Sequence, residues 1–232
     1  MKKFYKNASF VSSENGFQVM LDSKPIKTPM KHDVSVKGQK LAQVLADEWN
    51  AQGEEIDPKS MPYNQLVNTM VDNVVDEKRR DDLSAEILRF VDSDLIFYYA
   101  DGPDDLVKRQ QELWGPVQKW FEDSYDLLLK TSSGITYVEQ DESLSKIAAS
   151  ILDDLSPEEF TAYQFVVGPL GSFIITLAFI KDEISQQIAF DSAFVDEIYQ
   201  SERWGEDVEA KKKRDDILKE LQLVSAFLKM SE

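Results

Sequence analysis

The sequence predicts an α+β protein with a small N-terminal β domain followed by a larger, mainly α-helical domain. Three observations carry that expectation. The first forty residues alternate apolar and polar positions between turn residues, whereas from Leu41 onward the apolar spacing becomes helical. The chain has 232 residues, 42% hydrophobic and 11% aromatic, enough to bury a sizeable core. The change of period divides it into residues 1–57, a β domain with one helix, and residues 58–232, the helical domain.

Each element follows from local chemistry. Phe10-Val11 leads to Asn15-Gly16, after which Phe17-Gln18-Val19-Met20-Leu21 alternates up to Asp22-Ser23. An Asn-Gly between two such runs signals a hairpin. Lys24-Pro25-Ile26-Lys27-Thr28-Pro29 reads as an extended edge, since proline cannot donate to a central ladder. Val34-Ser35-Val36 adds a short strand. Leu41, Val44, Leu45, Glu48 and Trp49 then fall at helix spacing, with Gly53 as a stop and a polar connection over 54–61. Trp49 is expected to lock this helix against the β unit.

Leu66, Met70 and Val74 form the next helical stripe, and Leu83, Ile87, Phe90 and Val91 continue it. Asp101-Gly102-Pro103-Asp104 is a loop ending in a helix N-cap, followed by Leu106, Leu113, Val117 and Trp120. Ile135-Thr136-Tyr137-Val138 reads as a lone strand after Gly134. Residues 163–180 (YQFVVGPLGSFIITLAFI) approach membrane-spanning length. Gln164, Ser172, Thr176 and the Gly168-Pro169 break favour a buried central helix, interrupted near Pro169, over membrane insertion. Ile184, Ile188, Val195 and Ile198 mark one further helix, and Ile217, Leu221, Val224 and Leu228 the last. No repeat of fixed period is present.

Composition removes several function classes. There is no cysteine, hence no disulfide framework, thiol nucleophile or thiolate zinc site. The single histidine, His32, is too little for a multi-histidine metal site and is expected to be an exposed loop residue. A net charge of −17 argues against nucleic acid and against docking on anionic membranes. The charge is uneven: residues 1–31 carry six lysines against Glu14 and Asp22, which leaves −21 on the remainder. The N-terminus lacks a signal-peptide or transit-peptide pattern, so a cytoplasmic protein, or a trimmed mature form, is expected.

Catalytic patterns are wanting. Gly168-Pro169-Leu170-Gly171 has neither the following lysine nor the preceding strand of a phosphate loop. Acidic pairs such as Asp92/Asp94 and Asp153-Asp154 leave open a carboxylate-based or metal-dependent hydrolase, but 43 acidic residues produce such pairs by chance. The more unusual feature spans residues 181–209, with nine acidic residues against Lys181 and Arg203. Asp191 there shares a stripe with Ile188 and Val195, where a carboxylate is costly unless paired. Trp204-Gly205 sits inside this stretch. Trp204 is either a partner anchor or a core residue at a helix corner, in which case Asp207–Lys211 and Glu209–Lys213 are ordinary helix pairs. The absence of catalytic groups points to a protein that holds another protein and is not an enzyme.

Taken in order, the segments resemble a known family. The matching stretches are Lys3-Phe4-Tyr5-Lys6, 16–22, 24–29, Glu48-Trp49-Asn50-Ala51-Gln52-Gly53 and 57–62. Asn68-Thr69, Ser93-Asp94-Leu95, 99–103, Gln110, Trp114, Trp120, Gly171-Ser172, Asp196-Glu197 and 204–210 follow. This order is similar to that of the assembly chaperones of F-type ATP synthase that protect the alpha subunit of the catalytic head. The resemblance implies a monomeric holder of free alpha subunit, working without cofactor or metal until beta subunit replaces it. It also implies a bacterial cytoplasmic setting, or the mitochondrial matrix for a processed eukaryotic form. Acidity and position together mark Asp196, Glu197, Trp204, Glu206, Asp207 and Glu209 as the expected partner-binding residues, a generic acidic adaptor being the alternative.

Overall fold

The computed structural model describes residues 1–14 and 16–232. Asn15 of the predicted Asn15-Gly16 turn lies outside them. The strands are β1 (Ala8–Ser13), β2 (Gly16–Leu21), β3 (Lys24–Pro25), β4 (Ser35–Val36), β5 (Tyr98–Tyr99) and β6 (Ser132–Ser133). The helices are α1 (Gln39–Asn50), α2 (Pro62–Thr69), α3 (Glu77–Ile87), α4 (Asp104–Tyr125), α5 (Ser143–Asp154), α6 (Pro157–Leu170), α7 (Phe173–Ile180), α8 (Gln186–Ala193), α9 (Val195–Trp204) and α10 (Val208–Ser231). A small N-terminal strand region followed by a larger helical part is therefore the α+β arrangement the sequence predicts. No helix of the described residues is long and apolar enough to cross a membrane.

Contacts gather the chain into two compact units, one of residues 1–81, 156–162 and 223–232, the other of 82–155 and 163–222. Residues 1–57 all fall in the first of these units, together with α2. Helix α2 belongs with the strands because the end of α1 is sewn to it.

In the first unit β2 is the central strand. It pairs antiparallel with β1 from Ala8↔Leu21 to Ser13↔Gly16, and with β3 and β4. Val19 and Leu21 face inward and meet Leu41, Ala42, Leu45 and Ala46 of α1. The polar end of α1 then fixes everything around it. The Asn50 side chain accepts from Ala8 N at 2.7 Å and donates to Ala8 O at 2.9 Å, clamping β1. The Glu48 carboxylate accepts from Tyr63 N at 3.0 Å and Asn64 N at 2.9 Å, capping α2 from outside its own segment. Trp49 Nε1 donates to Asn64 Oδ1 at 2.8 Å, while its carbonyl accepts the Tyr5 hydroxyl at 2.6 Å. Trp49 thus locks α1 to α2 and to the N-terminal segment. Gln52 holds the 57–60 turn through Asp57 N and Ser60 Oγ.

Helix α2 passes into one π-helical turn, Met70–Val74, that buries Asp72. Its carboxylate accepts from the Thr28 hydroxyl and from Met30 N, and Oδ1 lies 2.9 Å from His32 Nδ1. His32 is half exposed, as a loop histidine should be, and it also pins the 28–32 turn.

In the second unit the buried stripe of α4 is Leu106, Gln110, Trp114, Val117 and Phe121. The apolar positions Leu113 and Trp120 lie beside this stripe and are only half-buried. Trp114 Nε1 donates to Ser192 O at 2.9 Å, a partner that propensity cannot show. Residues 135–138 form no strand: Ile135 is 103% exposed, and the strand is instead Ser132–Ser133, paired parallel with Tyr98–Tyr99. A β-branched run without a ladder to join gains nothing from strand geometry. The single helix expected over 184–198 is two, because Phe194 leaves helical geometry (φ −114°, ψ 16°) while capping α8 and starting α9. Residues 163–180 are largely the buried core predicted, though Phe165 and Gly168 are exposed; Pro169 is absorbed inside α6, the break falls at Gly171-Ser172, and all eight residues of α7 are buried.

Gly38, at the start of α1, shows where side chains are forbidden. A Cβ there would sit 1.9 Å from the Met230 carbonyl oxygen of α10. We expect Gly38→Ala to destabilise by about 1–3 kcal/mol, the usual cost of forced overpacking. Thermal melting of the two proteins checks this; equal midpoints would refute the contact.

Candidate partner-binding site

The corner between α9 and α10 carries Trp204, Glu206, Asp207 and Glu209 of the expected partner-binding residues, while Asp196 and Glu197 lie in the first turn of α9. Gly205, at φ +94°, lets the chain leave α9, a conformation most side chains resist. Asp207 then caps α10, its carboxylate accepting from Ala210 N at 2.8 Å. Helix α9 is held on α4 by several polar links. Gln110, fully buried, donates to Asp196 at 2.7 Å and accepts from Ala100 N. The Tyr199 hydroxyl donates to Asp105 at 2.7 Å, Arg203 pairs with the same carboxylate, and Arg109 pairs with Glu202 at 2.7 Å. The Tyr199 hydrogen bond, with Arg203, holds the Asp105 carboxyl below its ordinary value.

A buried arginine joins the two helices. Arg214, 6% exposed, reaches Glu206 at 3.0 Å, Ser201 Oγ at 3.2 Å and Glu197 at 3.3 Å. Lys211 adds a 3.0 Å bridge to Glu206 and, with Arg214, keeps that carboxyl below its ordinary value. The Asp207–Lys211 pair read from spacing is therefore replaced by Glu206–Lys211. The signal for Arg214 is present in sequence: it shares the stripe of Ile217 and Leu221, three and seven residues on, where a charge must be paired.

The six residues consequently have different standing. Asp196, Glu197, Glu206 and Asp207 are each engaged inside the protein, by Gln110, Arg214, Lys211 with Arg214, and the α10 backbone. Glu209 is exposed at the first turn of α10 without an ion-pair partner among the described residues. Trp204 is 76% exposed, so the core reading of this residue does not hold. Val208, missed by the spacing rules, is 80% exposed at the start of α10. Asp191, which spacing placed on a buried stripe, is half-buried and accepts from Gln187 at 2.9 Å; the break at Phe194 takes it out of register with Val195.

The rival carboxylate pair separates. Asp92 is exposed, whereas Asp94 is fully buried and turned into the start of α7. Asp94 accepts from Ile96 N at 3.2 Å and Ile174 N at 3.0 Å, and the Ser172 side chain accepts from Ile175 N at 2.9 Å. Asp94 and Ser172, from two segments distant in sequence, thereby cap one buried helix. Burial pushes the Asp94 carboxyl up to about 6, opposed by hydrogen bonds from Ser172, Ile174, Ile96 and Phe173. Among the described residues no group of three or more histidine or acidic side chains is placed to hold a metal ion.

A model of the ATP12 chaperone protein family matches residues 2–122. The mitochondrial protein atp12 of Schizosaccharomyces pombe is 24% identical over 214 residues, 88% of this chain and 74% of that protein. The crystal structure of Atp12 from Paracoccus denitrificans superposes with a TM-score of 0.91 at 31% identity, covering 100% of this chain and 98% of that one. An aspartate-to-lysine mutant of the same Paracoccus protein matches with a TM-score of 0.92 at 29% identity, over 100% and 98% of the two chains.

The Asp94 cap makes stability depend on pH. Because its folded value of about 6 exceeds the ordinary 3.8, the native chain binds the extra proton between those values. Stability contributed by the neutral form is complete below about pH 4 and is lost as pH rises through 6, by about 3 kcal/mol at most. Asp94→Asn carries no charge to desolvate. Relative to the parent it should gain stability from pH 4 to 7 in denaturant titrations; a pH-independent difference would contradict the assignment.

Proposed function

Because this chain belongs to the ATP12 chaperone family, which serves assembly of ATP synthase, we propose that it binds the free alpha subunit of that enzyme. On this reading it shields the alpha subunit from aggregation until the beta subunit takes its place, in the bacterial cytoplasm or, for a eukaryotic form, the mitochondrial matrix. It acts by holding, with no chemical step and no cofactor.

The observation that carries the reading is the exposed Trp204 at the end of α9, with the exposed Val208 and Glu209 opening α10. A subunit awaiting oligomerisation presents apolar interface that aggregates if left uncovered. A large rigid aromatic is the side chain best able to anchor on such a surface, and acidic neighbours steer it toward a basic one. Glu206 and Asp207 contribute twice, to the negative field of the corner and to its rigidity, and Asp196 and Glu197 brace the start of α9 on Gln110 and Arg214. The anchor can then be presented without an ordering cost at the moment of binding.

Two groups of variants separate these contributions. Trp204→Ala and Glu209→Lys should leave the melting temperature within a degree or two of the parent, since neither side chain has a partner to lose. Capture of tagged alpha subunit in a pull-down should nevertheless fall about tenfold or more. Glu206→Lys should weaken capture and also lower the melting temperature, by leaving the buried Arg214 short of a carboxylate. Full capture by folded Trp204→Ala and Glu209→Lys proteins would sink the site assignment.

A further inference from the structure

The loop that joins α4 to α5, residues 126–142, is fixed at its ends and bare in the middle. At its start the Glu122 side chain accepts from Leu129 N at 2.8 Å. Lys130 and Gln140 then clasp the loop: Lys130 N donates to Gln140 Oε1 at 3.0 Å, and Gln140 Nε2 donates to Lys130 O at 2.6 Å. Asp141 holds the start of α5, accepting from Ser143 N at 2.9 Å, and Gly134 N donates to Tyr99 O at 2.8 Å. Between these anchors residues 135–138 make no hydrogen bond among the described residues. Ile135 is fully exposed, Tyr137 is 67% exposed, and Leu128, just before the clasp, is 80% exposed.

This is the Ile-Thr-Tyr-Val run whose composition predicts a strand. Single exposed apolar residues are ordinary, but here they lie on four successive residues of strand-forming type whose main chain has no ladder. Extended, the run sets Ile135 and Tyr137 on one face and Thr136 and Val138 on the other. A strand added to a foreign sheet edge binds through its main chain and is selected by its alternate side chains. Because the clasp already holds both ends, little chain remains to be ordered on binding.

The charge around the run says which edge it fits. Residues 126–146 hold Asp126, Glu139, Asp141 and Glu142 against Lys130 and Lys146. Both lysines bear on Asp141, whose carboxyl is kept below its ordinary value first by Ser143 and then by them. Asp126, Glu139 and Glu142 have no ion pair among the described residues. Two further carboxylates adjoin the loop: Glu122, and Asp101, whose Oδ2 would lie 3.6 Å from a Cβ at Gly134. Exposed edge strands are commonly guarded by lysine, and such an edge is the complement of this surface. A second copy of the chain would instead bring two acidic loops together.

We infer that residues 135–138 are a strand donated to the client, pairing with an exposed sheet edge of the alpha subunit that carries lysine or arginine. The inference rests on the client reading above and adds to it a main-chain contact. A subunit awaiting assembly presents unpaired edges as well as apolar surface, and a donated strand covers the edge until assembly does.

Hydrogen–deuterium exchange of the full chain, alone and with ATP synthase alpha subunit, tests this directly. The amides of 135–138 should exchange fast in the free chain and be slowed tenfold or more in the complex. Adjacent amides face opposite sides of a strand, so Thr136→Pro and Tyr137→Pro are made singly. Neither residue has a hydrogen bond to lose, so both proteins should melt within a degree or two of the parent. At least one should capture alpha subunit on the order of tenfold less well. Glu139→Lys should also weaken capture, more at low salt than at high. Unslowed exchange at 135–138 in a complex that does form, or full capture by both folded proline variants, overturns the donated strand and leaves the client reading intact. Slowed exchange in the chain alone, with a dimer in sedimentation, makes a second copy the occupant and overturns it equally. Failure of the parent to capture alpha subunit overturns both.

Discussion

A helix buried on every side must have its first amide groups satisfied from within the protein, and in the larger unit that helix is α7. Its eight residues are all buried, so water is not available to its N-terminus. Asp94 and Ser172 meet the need. That requirement draws residues 94–97 to the head of α7. It thereby sets where β5 emerges and where α4, which packs on α7, must begin. Helix α4 in turn carries α9 through Gln110, Asp105 and Arg109. The cost is a carboxylate in a dry place, which raises the proton affinity of Asp94.

The acidity of the chain divides in the same way. Much of the negative charge at the α9–α10 corner is spent internally, on a buried amide, a buried guanidinium and a helix cap. What remains free there among the described residues is a tryptophan, a valine and the Glu209 carboxylate. On the proposed reading this is a sparing arrangement, because a holder has to let go. A wide apolar interface would bind permanently, whereas a few anchors with electrostatic steering allow fast capture and displacement.

Much of this was legible in the sequence. Alternation at Phe17–Leu21 and its turn residues located the hairpin, and periodicity located most helices, because both report which face is buried. The segments that resemble the chaperone family include several whose side chains bond across the fold: Glu48 to Gln52 around α2 and β1, Asp94 with Ser172, and Gln110 with Asp196. What periodicity could not supply was partner identity. Trp114 is buried through a hydrogen bond to Ser192 O, and α4 has its polar Gln110 in the core stripe, so the apolar Leu113 and Trp120 misled the register. Ile135 to Val138 had strand composition but no neighbour to pair with. At the corner, composition found the acidic cluster, yet which carboxylates were committed to Arg214 depended on a side chain from the next helix.

The four tryptophans occupy unequal surroundings: Trp114 is fully enclosed, Trp49 and Trp120 are half covered, and Trp204 stands in water. Indole emission shifts to shorter wavelength when water leaves the ring. The red edge of the intrinsic fluorescence therefore belongs chiefly to one residue, at the place where a client is proposed to settle. The chain carries its own optical reporter, able to time arrival and release without a label.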